Sequence, residues 1–156
     1  MRQKDEAMNS PFRLEVVKTI HVPVWDEQAR QRVTTFWQGR GVAFSEVTTG
    51  RLRGHRGSLW GNLTSYDMGK FLANLTISQV GPTELLCQLD VDTRGQDITE
   101  WNRAYWGLEM DTLESFLLHG DQKEEEWEQF LKESKAAAWQ WSLSFRRLGR
   151  KMPRKP

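Results

Sequence analysis

Apolar and polar residues alternate in FRLEVVKTIHVPV, residues 12–24, where Leu14, Val16, Lys18, Ile20 and Val22 share one side. A period of two predicts a strand with one face buried; only Lys18 and Val17 break it, and Pro23 marks its end. The period changes at once in DEQARQRVTTFWQGRG. Ala29, Val33, Phe36 and Trp37 recur at helical spacing, Asp26 is placed to cap the start, and Gly39 or Gly41 can supply a left-handed C-terminal cap.

Strand and turn signals fill VAFSEVTTGRLRGHRGSLWGNLTSYDMG, with glycines at 50, 54, 57 and 61. KFLANLTISQ and TELLCQLDVD then alternate cleanly on either side of Gly81-Pro82, which predicts a hairpin with one apolar face. The segment ITEWNRAYWGLEMDTLESFLLHG, residues 98–120, returns to helical spacing. Asp97 opens it, and Glu100 stands three residues on, at capping-box distance. At 100° per residue it carries two apolar stripes: Trp101, Tyr105, Leu108 and Phe116, and separately Trp106, Met110, Leu113 and Leu117. One stripe is enough to cover a sheet, so the second needs another partner.

A third helical pattern, with Trp127, Leu131, Ala138 and Trp141 on one side, follows from residue 121. Within it, Trp139, Trp141, Leu143 and Phe145 also alternate strictly, which suits an edge strand. The expectation is therefore an α+β domain over 12–120. It has a four- to five-stranded antiparallel sheet, two helices on one face and the order β-α-β-β-β-β-α. A disordered lead (1–11), an amphipathic C-terminal helix (121–148) and a basic tail (149–156) complete the division.

Charge is segregated, although the net value is only +1. Residues 13–57 hold eight Lys/Arg against four Asp/Glu, residues 82–121 hold two against nine, and the last eleven residues hold six cations and no anion. Such asymmetry steers partners. The opening MRQKDEAMNSP has no apolar stretch of the signal-peptide kind, and a single cysteine, Cys87, suits a reducing compartment. The expected setting is cytoplasmic, with the inner membrane surface as a further location. The two Asn-Leu-Thr matches at Asn62 and Asn74 then read as strand or turn composition.

Candidate chemistry is sparse. DVDTRGQDITEW places Asp90, Asp92 and Gly95 as in a calcium loop, but Arg94 and Trp101 stand where oxygen ligands belong, so a strand end running into a helix cap is the better account. GHRG, residues 54–57, matches a phosphate-clamping tetrapeptide whose flanks should be helices; here they read as strands. No nucleophile elbow, P-loop or dinucleotide glycine motif occurs, the three histidines lie far apart, and no metal or cofactor is implied.

Three surfaces remain. The first joins the aromatic residues Trp106, Leu113, Trp139, Trp141 and Phe145 to the basic tail. It would make the chain a noncatalytic module for a protein partner, a second copy of itself or a membrane surface. In that last role Arg146, Arg147, Arg150 and Lys151 would face anionic lipid. The second is a pocket between sheet and helix lined by Trp60, Phe71, Trp101 and Tyr105, for an apolar ligand or substrate. The third and weakest is a nucleic-acid contact: Arg51, Arg53 and His55 on one strand face, with Arg56 at the turn.

Overall fold

The computed structural model describes residues 12–64, 67–98 and 100–120, together with 128, 129 and 132. Five strands form one antiparallel sheet: β1 (Arg13–His21), β2 (Ala43–Val47), β3 (Arg51–Arg56), β4 (Ala73–Gly81) and β5 (Glu84–Asp92). Their spatial order is β1-β5-β4-β3-β2. The chain thus crosses the sheet once, from β1 to the far edge, and returns strand by strand until β5 closes onto β1. The crossing is made by α1 (Glu27–Gln38), and α3 (Glu100–His119) follows β5. This is the α+β architecture that the periodicity predicts.

Local chemistry sets the boundaries. The Ala29 N–H donates to Asp26 Oδ1 at 2.8 Å, which caps α1 as the sequence suggests. Gly39 ends α1 in right-handed geometry, and the left-handed position is Gly41, at φ +82°. Helix α3 begins at Glu100, so Asp97 stands before its first turn. Gly120, at φ +75°, follows its last residue.

One face of the sheet is dry. Leu52, Ala73, Leu75, Ile77, Leu85, Cys87, Leu89 and Val91 are buried against Val33, Phe36 and Trp37 of α1 and Trp106, Met110, Leu113 and Leu117 of α3. The two helices also meet each other. The rings of Phe36 and Phe116 lie 5.7 Å apart, and the Arg32 guanidinium donates to the Phe116 carbonyl. The opposite face carries rows such as Arg53, Thr76, Gln88 and Val17, which are side by side in the register. It is the solvated side of the pleat.

Both sheet edges are blunted. Lys18 points to the core side of edge strand β1, beside Cys87 in the register, and its ammonium reaches Asp111 and Glu114 of α3. The other edge, β2, is five residues long and its pairing with β3 shifts register between Phe44 and Glu46. An inward lysine and a bulge are devices that discourage edge-to-edge pairing. Lys18, which interrupts the sequence pattern, has its explanation here.

One element departs from the sequence reading. The stretch read as strands and turns contains a short helix, α2 (Leu59–Thr64), and a single 3-10 turn (Met68–Lys70) between β3 and β4. Of the C-terminal segment, Glu128, Gln129 and Lys132 are helical. Trp139, Trp141, Phe145, Arg146, Arg147, Arg150 and Lys151 lie outside the described residues.

Candidate functional site

The sequence-derived residues scatter in the fold. Trp106 and Leu113 are fully buried, because their stripe is the one α3 turns to the sheet; Trp106 packs on Phe71 with ring centroids 6.0 Å apart. Phe71 and Tyr105 are buried as well, whereas Trp60 is 74% exposed. The side chain of Trp101 is outside the described residues. Arg51, Arg53 and His55 do share the exposed face of β3, with Arg53 Nε 3.6 Å from Glu46 Oε2. Arg56 is not a turn residue: it ends β3 on the opposite face and is 2% exposed. The alternation of a strand dictates this, since Arg56 is one step out of phase with Arg53 and His55.

Helix α2 stands out by its inverted polarity. Its polar residue Asn62 is fully buried, while Leu59, Trp60 and Leu63 are 42%, 74% and 64% exposed. Asn62 acts as an anchor. Its Nδ2 donates to the Asp92 carbonyl at 2.7 Å, its Oδ1 accepts the Leu72 N–H at 2.8 Å, and its own carbonyl accepts from Gln96 Nε2. Ser58 caps the start, its Oγ accepting the Gly61 N–H at 3.0 Å.

A surface helix ordinarily buries its apolar side. Burying one Leu side chain contributes roughly 1.5–3 kcal/mol, so turning three large side chains outward forgoes several kcal/mol of folding energy. Folding alone gives no reason for that arrangement. The neighbouring backbone holds α2 closely: a Cβ on Gly61 would lie 2.2 Å from the Lys70 carbonyl oxygen, and one on Gly57, at φ +69°, 2.2 Å from that of Phe71. The exposed residues are therefore mounted on a fixed element.

A pocket of about 490 Å³ opens beside α2. Gly41, Gly57, Gly61 and Gly69 form half its lining, and Ser58, Trp60, Thr64 and Lys70 the other half. Gly41 and Gly57 directly follow Arg40 and Arg56, which meet on Glu109 in the core. Arg56 Nη1 and Nη2 donate to Glu109 Oε1 and Oε2 at 2.6 and 2.7 Å, and Arg40 Nε lies 3.8 Å from Oε1. Burial works against the Arg56 charge, but the Glu109 carboxylate outweighs it and holds the Arg56 pKa above the ordinary arginine value. Burial, then the Glu109 charge, pushes the Tyr105 hydroxyl well up, so it stays protonated.

These groups suit binding. The lining offers an aromatic face, an ammonium, hydroxyls and glycine peptide planes, and among the described residues Lys70 is its one ionisable side chain. Cys87 sits on the core side of β5, where burial pushes its thiol up to about 12, far from thiolate chemistry at neutral pH. Among the described residues no group of three His, Cys, Asp or Glu gathers as metal ligands would. Asp90 instead pairs with Arg13, and Asp92 with Arg94.

The sequence contains one signal for α2 that pattern-reading misses: Ser58, an N-cap residue type whose Oγ accepts the N–H of Gly61 three residues on. Gly61 hides it, because glycine lowers helix propensity. Nothing in the sequence says that Asn62 is inside and Trp60 outside. In comparisons with family models, curated proteins and solved structures, nothing matched this chain.

Proposed function

We propose that this chain is a noncatalytic interaction module that docks a protein partner on α2. The observation that supports this most is the inverted helix: Asn62 buried, and Leu59, Trp60 and Leu63 exposed on a rigid mount. A fixed, exposed tryptophan is the residue type most favoured as an interface anchor, where a few side chains supply most of the binding energy, and the two leucines widen the apolar surface around it. Phe71, Trp106 and Met110 fill the space between sheet and α3, which favours a surface partner over an apolar ligand held there.

The C-terminal aromatics Trp139, Trp141 and Phe145 and the basic tail extend the proposal from sequence alone, as a second contact surface. The unpaired, buried Cys87 goes with a cytoplasmic setting. Among the described residues no helix is long and apolar enough to cross a membrane.

The test is in-cell cross-linking of the full chain in its native host, wild type against a Leu59→Ser/Leu63→Ser variant. The expected result is a stoichiometric partner on the wild type that the variant loses, with unchanged circular dichroism. A partner retained equally by both would refute α2 as the docking element.

A further inference from the structure

We infer that the pocket beside α2 is a binding site for a small planar ligand that carries an anionic group. Its volume, about 490 Å³, lies in the range that holds small organic ligands. Three features of the lining select the chemistry. The first is the Trp60 indole, 74% exposed at the pocket wall, which offers a flat ring a stacking face.

The second is Lys70, an exposed ammonium that takes part in none of the ion pairs among the described residues. It lines the pocket with no carboxylate among those residues bound to it, although Asp67 Oδ1 accepts the N–H of Gly69 on the same lining at 3.0 Å. The third is Ser58, whose Oγ already accepts the Gly61 N–H and so keeps its own proton to donate. Thr64 plays a different part, because its hydroxyl donates back to the Trp60 carbonyl at 2.7 Å and fixes the rim.

The surroundings reinforce the sign. Among the described residues at this end of the sheet, Arg40, Arg56, Lys70 and Arg94 bring four positive charges, against three negative ones on Glu109, Asp67 and Asp92. Gly57 and Gly61 fix the pocket wall, because a side chain at either would collide with the carbonyls of Phe71 and Lys70 and push α2 off its seat. A ring on Trp60 with its anionic group toward Lys70 and Ser58 meets each of these groups. The anion is a phosphate or a carboxylate.

The inference shares Trp60 with the docking face on α2 but is separable from it, because Leu59 and Leu63 are not in the pocket lining and Lys70 is not in the apolar set. The test titrates the full chain with phenyl phosphate, benzoate, inorganic phosphate and benzyl alcohol, following backbone amide resonances of Gly57, Gly61 and Gly69. Phenyl phosphate or benzoate should shift these amides saturably, and the tighter of the two identifies the anion. Inorganic phosphate and benzyl alcohol should bind at least about ten-fold more weakly, since each lacks one half of the recognition.

Trp60→Ala and Lys70→Ala should each weaken binding about ten-fold with the fold intact, and Leu59→Ser/Leu63→Ser should leave it unchanged. The inference is overturned if neither aromatic anion shifts the glycine amides by about 10 mM, a loose limit for any specific site. Equal affinity for inorganic phosphate, or affinity unchanged in Lys70→Ala and Trp60→Ala, overturns it as well.

Discussion

Arg56 and Glu109 meet end-on across the core, two parallel hydrogen bonds of 2.6 and 2.7 Å joining the end of β3 to the middle of α3. Both are buried, and Arg40 approaches the same carboxylate. Taking Glu109 away leaves the buried Arg56 charge without its carboxylate, taking Arg56 away leaves Glu109 with Arg40 at 3.8 Å, and taking both away leaves an apolar contact between β3 and α3. Glu109→Leu should therefore cost about 3–5 kcal/mol in urea denaturation, and Arg56→Met less, because Arg40 stays beside the carboxylate. The double variant should cost far less than the sum. Additive losses would mean that the two side chains act independently and that the pair is not the unit of stability.

Glycine gives a second test, in which helix propensity and packing oppose each other at one position and not at another. Replacing a mid-helix glycine by alanine ordinarily stabilises by roughly 0.5–1 kcal/mol. Gly107 in α3 has nothing among the described residues within 4 Å of where a Cβ would sit, so Gly107→Ala should raise the melting temperature. Gly61 in α2 would place that Cβ 2.2 Å from the Lys70 carbonyl oxygen. Gly61→Ala should lower it, at a cost of about 1–3 kcal/mol, because backbone must move. A gain at both positions would show that α2 is free to shift away from the 3-10 turn.

The sheet and the two long helices were legible because their periods are strong. The alternation of Leu85, Cys87, Leu89 and Val91 leaves one reading, and so does the spacing of Val33, Phe36 and Trp37. The two stripes of α3 were legible too, but not which one meets the sheet; the geometry gives that place to Trp106, Met110, Leu113 and Leu117. The site was not legible, for a physical reason. Periodicity assumes that apolar residues point inward, and α2 breaks that assumption at four consecutive decisions: Leu59 out, Trp60 out, Asn62 in, Leu63 out. Arg56 fails for the converse reason, being a charge buried by a partner fifty-three residues away.

The last prediction concerns Lys18, whose ammonium lies 2.7 Å from Glu114 Oε2. Partial burial opposes both charges, but hydrogen bonds prevail: those to Asp111 and then Glu114 raise the Lys18 pKa above 10.5, and the Glu114 carboxyl, which accepts from Lys18 and from the His21 backbone N–H, falls below 4.5. A carboxyl with a lowered folded pKa stabilises the fold fully above its unfolded value. That contribution is lost as pH falls through the folded value. For the raised lysine the contribution is present below 10.5 and fades as pH rises through its folded value. Lys18→Met keeps most of the stem and removes the charge. It should cost about 1 kcal/mol or less near neutral pH, because the groups are partly solvated. Measured by chemical denaturation across pH, the gap between wild type and variant should shrink below pH 4.5 and again above 10.5. A gap that stays constant from acid to neutral pH would assign the loss to packing of the stem against α3, and the ion pair would then have no part in holding edge strand β1 to that helix.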